Sequence, residues 1–276
     1  MKQKTPLAGV IGWPINHTRS PRMHDFWLKR YQIPGHYVPL AVSSEGLEEA
    51  LRAMALLGFR GVNVTLPHKE RVLELASSVS ETARRIGAAN TLTFREDGSF
   101  HAENTDAYGF SQNILQQFPD WKPDAGPALV IGAGGASRAI VQALIDARVP
   151  EIRIANRTQS RAEALASHFG PCVSAIGWSD LARGVDGAVT VVNATSMGMN
   201  GNTPLTVDLH GACPEAIIAD IIYEPLRTPF LEGAAAQGFR TVDGLGMLLH
   251  QGRHGFESWF GEAPVVDEDL RVYVMG

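Results

Sequence analysis

The stretch ALVIGAGGAS, residues 128–137, joins a short apolar run to a glycine-rich turn, and an amphipathic pattern follows it. Four consecutive apolar residues suit a strand that is buried on both faces of a parallel sheet. In the pattern that follows, the apolar side chains have the spacing of one helix face: Ile140, Ala143, Leu144 and Ala147. Strand, glycine turn and helix in this order predict a dinucleotide-binding unit.

The glycine turn contains the features that a pyrophosphate needs. Gly132 permits the tight turn, Gly134 lets the backbone approach the phosphates, and the start of the helix presents N–H groups and a positive dipole end. The third glycine position of the general pattern is occupied by Ser137. We therefore expect the pyrophosphate to be held by Gly132, Ala133, Gly134, Gly135 and Ala136.

The segment after the next predicted strand indicates which dinucleotide is bound. Enzymes that use NAD usually place a carboxylate there, on the ribose 2′-hydroxyl. This chain has Asn156, Arg157 and Thr158 instead, with Arg161 one turn later. An amide, a hydroxyl and guanidinium groups would bind a 2′-phosphate that a carboxylate would repel. The sequence therefore predicts NADP (NADPH) as the cofactor.

Short β-branched runs alternate with helical patterns along nearly the whole chain, which predicts an α/β fold with βαβ units and a parallel sheet. Residues 118–127 contain three prolines and a glycine and are typical of a connection. We expect residues 1–108, with 244–276 packing back on them, to form an α/β substrate-binding and catalytic domain. Residues 109–243 are expected to form a Rossmann-type doubly wound NADP-binding domain, with a cleft between the two domains.

The predicted elements follow the same patterns. Strands are expected at 7–11, 36–40, 61–64, 128–131, 151–155, 190–193, 217–220 and 240–242. Helices are expected at 20–31, 44–56, 68–75, 106–117, 136–147, 159–169, 229–236 and 245–260.

Composition excludes several classes of protein. The 276 residues are 45% hydrophobic and 19% charged, which is ordinary for a globular protein. A net charge of -5 gives no general attraction to nucleic acid or to an anionic membrane. No apolar run is long enough to span a bilayer or to serve as a signal peptide, and Cys172 and Cys213 form no disulfide framework. We expect a cytoplasmic protein, monomeric or homodimeric, whose partner is a small molecule.

Four polar segments in the first half of the chain are candidates for a ligand site: residues 12–21, 63–69, 87–91 and 103–109. Three of them lie at or beside predicted strand ends, where open α/β sheets bind ligands. On their own, their hydroxyls and amides support only a site for a small polyhydroxylated molecule. His17, His24 and His68 lie near these segments, but no metal-ligand spacing is present and no metal site is expected.

Together with the glycine turn, residues 156–161, Asn193–Gly198 and residues 243–251, these segments resemble the shikimate dehydrogenase family over essentially the whole chain. The resemblance implies a reversible, NADPH-dependent reduction of 3-dehydroshikimate to shikimate in the pathway to chorismate and aromatic amino acids. It also implies the roles of individual residues. The implied catalytic pair is Lys69 and Asp106. The implied substrate-binding residues are Thr18, Ser20, Thr65, Asn90, Asp106, Tyr223 and Gln251. Beside the glycine turn and residues 156–161, the implied cofactor contacts are Glu81, Ile221 and Gly244.

The chemistry agrees with the implied role of Lys69. A carbonyl oxygen that receives a hydride at its carbon gains negative charge and needs a proton, and an ammonium group can supply both stabilisation and proton. Arg cannot give up a proton near neutral pH. Only five of the 24 basic residues are Lys, so this chain seldom uses Lys for general surface charge.

Some positions depart from the family pattern, and alternatives stay open. Thr18 replaces a frequent Ser, Trp13 is bulkier than usual, and Ile221 replaces a frequent Met. Gly252 and Gly255 interrupt a predicted helix, which glycine weakens by about 1 kcal/mol per residue. One alternative is a quinate/shikimate dehydrogenase with broader substrate or cofactor use, and another is a different two-domain NADP enzyme such as a methylene-tetrahydrofolate dehydrogenase. The third is a non-catalytic protein that senses NADPH or a shikimate-like ligand.

Overall fold

The computed structural model describes residues 5–16 and 18–276, which divide into two compact units. The first unit contains the residues up to Gly109 together with Leu248–Gly276, and the second contains Phe110–Met247. The proline-rich segment 118–127 lies inside the second unit and includes a 3-10 turn at Pro123–Ala125. No helix in the described residues is long and apolar enough to cross a membrane.

The strands in chain order are β1 (Leu7–Gly12), β2 (His36–Ala41), β3 (Phe59–Val64), β4 (Ser78–Val79), β5 (Thr91–Phe94), β6 (Phe100–Glu103), β7 (Ala128–Ile131), β8 (Ile152–Ala155), β9 (Val173–Ile176), β10 (Thr190–Asn193), β11 (Ile217–Asp220) and β12 (Arg240–Val242). The helices are α1 (Ser20–Arg30), α2 (Leu47–Leu57), α3 (Arg71–Leu75), α4 (Glu81–Ile86), α5 (Asp106–Gln117), α6 (Gly135–Asp146), α7 (Gln159–Phe169), α8 (Leu181–Val185), α9 (Pro229–Ala236), α10 (Leu245–Phe260) and α11 (Glu268–Met275). A second 3-10 turn spans Trp178–Asp180.

The first unit contains a mixed sheet with the strand order β2-β1-β3-β5-β6-β4. Strands β2, β1 and β3 run parallel, whereas β5 is antiparallel to both β3 and β6. The expectation of a parallel sheet is therefore wrong for this part of the chain. Only a short turn at residues 95–99 connects β5 to β6, and a connection of that length joins antiparallel strands.

The second unit contains six parallel strands in the order β12-β11-β10-β7-β8-β9. Numbered within this unit, the order is that of the doubly wound dinucleotide-binding fold, in which ligands bind where the strand order reverses. The reversal lies between β7 and β10, which are neighbours in the sheet. The predicted Rossmann-type α/β fold is confirmed, and every residue of β7 is completely buried, as its apolar run predicts.

Helix α10 is continuous through Gly252 and Gly255, so the predicted weakness does not interrupt it. Both glycines allow close packing. A Cβ atom at Gly252 would lie 2.3 Å from Cε of Met23 on α1, and one at Gly255 would lie 2.7 Å from the ring of Trp259. Gly252 lets α1 approach the helix and Gly255 makes room for the Trp259 ring of the same helix, so both glycines contribute packing that offsets their low helix propensity.

An aromatic cluster joins α1, β2 and α10 in the first unit. At its centre the imidazole of His24, which is completely buried, stacks on the ring of Tyr37 with 3.8 Å between the centroids. Trp27, Phe256 and Trp259 surround the same imidazole. Burial lowers the pKa of His24 to about 3, so the ring is neutral at physiological pH.

Candidate active site

Lys69 and Asp106 form an ion pair in the first unit. Lys69 follows β3 and the turn before α3, and Asp106 is the first residue of α5. The Lys69 Nζ atom lies 2.6 Å from Oδ2 of Asp106, and the side chains are only 19% and 11% exposed. The structure therefore brings the predicted catalytic pair together at a partly buried position, where an ion pair is screened less than at an open surface.

Asn90 connects this pair to other polar groups. Its Nδ2 atom donates to Oδ1 of Asp106 at 2.8 Å and to Oε1 of Gln251 at 3.2 Å. Its Oδ1 atom accepts from the backbone N–H of Thr105 at 2.8 Å. Asn90 and Gln251 are 2% and 7% exposed. Four residues that were predicted to act on the substrate thus form one connected network: Lys69, Asn90, Asp106 and Gln251.

Backbone contacts hold this network in place. Asn104 donates from Nδ2 to the carbonyl of Ala88 at 2.9 Å and accepts from the backbone N–H of Asp106 at 3.0 Å. The N–H of Ala89 donates to the carbonyl of Lys69 at 2.8 Å. Asn104 lies in the candidate segment 103–109, but the sequence patterns predict no role for it. Its contacts join residues that are distant along the chain, and a local pattern cannot show them.

The remaining predicted substrate contacts of the first unit lie at the ends of β1 and β3. Thr18 accepts at Oγ1 from the N–H of Ser20 at 3.3 Å, and Ser20 begins α1. Thr65 follows β3, and its N–H donates to the carbonyl of Ile11 at 2.9 Å. A Cβ atom at Gly12 would lie 2.5 Å from the methyl group of Thr65, so glycine is required for this approach. Among the described residues, no hydrogen bond joins these hydroxyls to Asn90.

The glycine turn of the second unit has the shape that a pyrophosphate requires. Gly132 has a φ of 114°, and a Cβ atom there would lie 2.8 Å from the carbonyl oxygen of Ala194. Cβ atoms at Gly134 and Gly135 would meet nothing within 4 Å, so the space beside the start of α6 is open. Ser137, the departure from the usual pattern, accepts at Oγ from the N–H of Gly134 at 3.1 Å. The first-turn N–H groups have no partner within the helix, and an anion fits there.

The segment after β8 presents positive charge to solvent. Arg157 and Arg161 are exposed, and neither forms an ion pair with an acidic side chain of the described residues. Thr158 between them is also exposed, at the start of α7. Asn156 is used internally: its Oδ1 accepts from the N–H of Ala133 at 3.2 Å, and its Nδ2 donates to the carbonyl of Thr158 at 2.9 Å. These residues fit a 2′-phosphate, with Asn156 joining the segment to the glycine turn.

Two further predicted cofactor contacts lie against each other in the second unit. Ile221 follows β11, and a Cβ atom at Gly244 would lie 2.1 Å from its carbonyl oxygen. The N–H of Gly244 donates to the carbonyl of Ile222 at 3.1 Å. Tyr223 is half-buried two residues after Ile221. Glu81 is exposed in the first unit, at the start of α4, where it pairs with Arg85.

The histidines near the candidate segments do not form a metal site in the described residues. His68 is buried, and its Nε2 lies 2.7 Å from the carbonyl oxygen of Val42. His24 lies in the aromatic cluster, and His17 lies outside the described residues. Across the part of the chain that is described, no group of three His, Cys, Asp or Glu side chains is placed to hold a metal ion.

Comparison with known proteins gives a consistent result. Three family profiles match: the shikimate dehydrogenase substrate binding domain at residues 10–92, shikimate / quinate 5-dehydrogenase at 114–200, and the shikimate 5'-dehydrogenase C-terminal domain at 244–268. A shikimate dehydrogenase (NADP(+)) from Paracoccus denitrificans is 58% identical over 270 residues, which cover 98% of this chain and 96% of the relative.

Two solved structures have the same architecture. The shikimate 5-dehydrogenase from Thermus thermophilus in complex with NADP(H) and shikimate has a TM-score of 0.86 and 36% identity, covering 98% of this chain and 99% of the other. The quinate dehydrogenase from Corynebacterium glutamicum in complex with NAD has a TM-score of 0.90 and 30% identity, with the same coverage. From its matched domains and its full-length relatives, this chain belongs to the shikimate dehydrogenase family.

Proposed function

We propose that this protein is an NADP-dependent shikimate dehydrogenase that reversibly reduces 3-dehydroshikimate to shikimate. The observation that carries the proposal is the pair of Lys69 and Asp106, 2.6 Å apart and linked through Asn90 to Gln251. An ammonium, a carboxylate and two amides suit a ring that bears several hydroxyl groups and a carbonyl. The relative from Paracoccus denitrificans is named for the same activity.

In the proposed mechanism, Lys69 and Asp106 manage the proton. The Lys69 ammonium donates a hydrogen bond to the carbonyl oxygen and gives up its proton as negative charge develops there. The Asp106 carboxylate orients the ammonium and, in the reverse direction, helps it accept the proton of the alcohol. Asn90 and Gln251 orient the ring, and the hydroxyls of Thr18, Ser20 and Thr65, with Tyr223, bind the other polar groups of the substrate.

The cofactor, when bound, supplies the hydride. The residues proposed to hold its pyrophosphate are those of the glycine turn, 132–136, where the start of α6 offers N–H groups to an anion. Arg157 and Arg161 are proposed to bind the 2′-phosphate because both are exposed cations in the segment that Asn156 joins to that turn, and Thr158 completes the segment. Ile221 and Gly244 are proposed to lie beside the nicotinamide, and Glu81 remains a predicted further contact.

The proposal also includes the location, the oligomeric state and the partners of the enzyme. We propose that it acts in the cytoplasm as a monomer or homodimer, without nucleic-acid or membrane partners. The net charge of -5 supports the last point, because it gives no general attraction to nucleic acid or to an anionic membrane. Sedimentation equilibrium would decide between monomer and homodimer.

The test is a comparison of the four substrate–cofactor pairs, shikimate or quinate with NADP or NAD, followed by the absorbance of the reduced cofactor. Rapid reduction of NADP with shikimate is expected. Comparable rates with quinate or NAD would instead identify a broader quinate/shikimate dehydrogenase, and binding of NADPH without turnover of any pair would identify a sensor.

A matched pair of variants tests the role of Lys69. Lys69→Ala should lower kcat by roughly 10²- to 10⁴-fold, the usual contribution of a positioned proton donor. Lys122→Ala, which removes an exposed Lys of the second unit, should leave kcat unchanged. Equal activity of Lys69→Ala and the wild-type protein would refute the mechanism.

A further inference from the structure

Asp220 is a buried carboxylate that neither the sequence patterns nor the proposed mechanism uses. It is the last residue of β11 and is 2% exposed. Its Oδ2 atom accepts from Nδ2 of Asn193 at 3.0 Å and from Oγ1 of Thr228 at 2.8 Å, and its Oδ1 accepts from the N–H of Ile222 at 3.0 Å. Three neutral donors therefore surround the carboxylate, and in the described residues no cation pairs with it.

Asn193, the last residue of β10, extends these contacts into the loop that follows it. Its Nδ2 also donates to the carbonyl of Met197 at 3.1 Å. Its Oδ1 accepts from both the N–H and the hydroxyl of Thr195, at 3.0 and 2.7 Å. The hydroxyl of Thr195 in turn accepts from the N–H of Met197 at 3.0 Å. The conformation of residues 193–197 thus depends on an Asn side chain that Asp220 orients.

Asp220 also holds the chain that leaves β11. Its bond to the N–H of Ile222 fixes the backbone directly after Ile221, the residue that Gly244 contacts closely. Thr228, its second side-chain partner, caps α9 by accepting from the N–H of Leu231. One carboxylate therefore joins the exits of β10 and β11 and the start of α9.

Burial makes this arrangement costly for the fold. It raises the pKa of the Asp220 carboxyl to about 6, so the group is ionised at neutral pH at the expense of stability. Yet the three donors point at a carboxylate, and an amide in its place would set its NH2 group either against the Nδ2 of Asn193 or against the N–H of Ile222. A buried ionised group that weakens the fold while ordering two loops indicates a role in the site beside them.

The topology tells which part of the cofactor those loops face. The doubly wound fold consists of two mononucleotide-binding halves. The half with β7, β8 and β9 carries the glycine turn and Arg157, which are proposed to bind the pyrophosphate and the adenosine 2′-phosphate. The half with β10, β11 and β12 is left for the nicotinamide mononucleotide, and Asp220 lies at the carboxyl ends of its first two strands.

We infer that Asp220, acting through Asn193 and Thr228, is a positioning residue for the nicotinamide half of NADPH. This inference rests on the proposed function. Asp220 does not touch the cofactor in this scheme; it sets the backbone of residues 193–197 and 220–222, on which the nicotinamide-side contacts are built.

The experiment compares intact NADPH with adenosine 2′,5′-bisphosphate, a fragment that lacks the nicotinamide mononucleotide. For Asp220→Asn, the dissociation constant of the fragment, measured by calorimetry, should change by less than about twofold. The dissociation constant of NADPH should rise roughly tenfold, and kcat should fall roughly 10- to 100-fold, because small displacements of a reacting group are costly. Asp208→Asn, an exposed Asp of the same unit, should match the wild-type protein in every assay.

A second pair of variants changes Thr228, whose hydroxyl donates to Asp220 and also caps α9. Thr228→Val keeps the shape of the side chain but loses the hydroxyl, and it should act in the same direction as Asp220→Asn. Thr228→Ser keeps the hydroxyl and should restore the wild-type values. If Asp220→Asn does not fold, this pair carries the test alone.

The outcomes separate the two proposals. Equal weakening of the fragment and of NADPH in Asp220→Asn, or in Thr228→Val, would mean a general structural role and would overturn the inference. Unchanged NADPH affinity and kcat in these variants would overturn it as well. Failure of the wild-type protein to bind NADPH would instead refute the proposed function.

Discussion

Replacing His24 by Phe should make the free energy of unfolding less sensitive to acid. The imidazole is completely buried, and burial lowers its pKa from the ordinary 6.5 to about 3. Below about pH 6.5, His24 therefore binds a proton in the unfolded chain but not in the folded protein. Since the folded pKa is depressed, the stabilising contribution is present above pH 6.5 and is lost as the pH falls toward 3.

The size of the effect follows from these pKa values. Between about pH 7 and pH 5, His24 alone removes about 2 kcal/mol from the free energy of unfolding. His250, whose pKa is lowered to about 4 by burial and by Arg253 and Arg271, removes about 2 kcal/mol more. Asp220, with its pKa raised to about 6, opposes them by about 1 kcal/mol, because its folded form gains a proton over this range.

The assay is urea unfolding at both pH values, followed by tryptophan fluorescence and circular dichroism. The wild-type protein should lose about 2 to 3 kcal/mol between the two pH values, and His24→Phe should lose about 2 kcal/mol less than that. His36→Phe, which replaces an exposed His of the same unit, should keep the wild-type pH dependence. An equal loss in His24→Phe and the wild-type protein would refute the reasoning, whatever its stability at pH 7.

Three further changes test other parts of the structure. Arg157→Ala should raise KM for NADPH roughly 10- to 100-fold and leave KM for NADH nearly unchanged, in steady-state assays with each cofactor; equal effects on both would contradict the assignment. Gly252→Ala should lower the free energy of unfolding, measured in urea, by about 1 to 3 kcal/mol because the added methyl group meets Met23. Its control is Gly233→Ala, where a Cβ atom meets nothing within 4 Å; this variant should raise the free energy of unfolding by about 0.5 to 1 kcal/mol. Asn90→Ala should lower kcat/KM and should also lower the free energy of unfolding by about 1 to 3 kcal/mol. The reason is that it removes a hydrogen-bond partner from buried groups of Asp106 and Thr105. Unchanged thermal unfolding would argue against the buried network.

The strong local patterns of the chain were sufficient to predict much of the fold. Strand β7, the glycine turn and α6 are predicted closely because an apolar run, a turn and a helical period follow one another without interruption. Strands β5 and β6 were missed, since Arg95, Glu96 and Asp97 make their hairpin look like a polar loop. Helices α4, α8 and α11 were also missed. Helices α4 and α8 have only six and five residues, which show too little of a helical period.

The candidate site was predictable as segments but not as contacts. The family resemblance named Lys69 and Asp106, and the structure places them in one ion pair. Their individual roles remain predictions until variants are measured. Asn104 and Asp220 carried weak signals, a polar residue before a helix and a charge at the end of an apolar strand. Their partners are distant in sequence, so only the folded chain reveals what they hold.

Asn156 has a consequence for attempts to redesign coenzyme preference. A designer who wants NAD would place a carboxylate after β8, to bind the ribose hydroxyls. At position 156 that carboxylate could still accept from the N–H of Ala133, but its second oxygen would face the carbonyl of Thr158, which now accepts from the Asn156 amide. Two acceptors in contact repel each other, and the turn that cradles the pyrophosphate would be disturbed together with the selectivity.

Recognition of the adenosine end and the shape of the phosphate cradle are therefore coupled through one side chain. A single substitution is enough to remove the positive charge of Arg157, because its guanidinium is exposed. Gaining affinity for NAD is harder, since it requires at least one compensating change near Thr158. An evolutionary or laboratory route from NADP to NAD should accordingly pass through a form that has lost its preference before it acquires the opposite one.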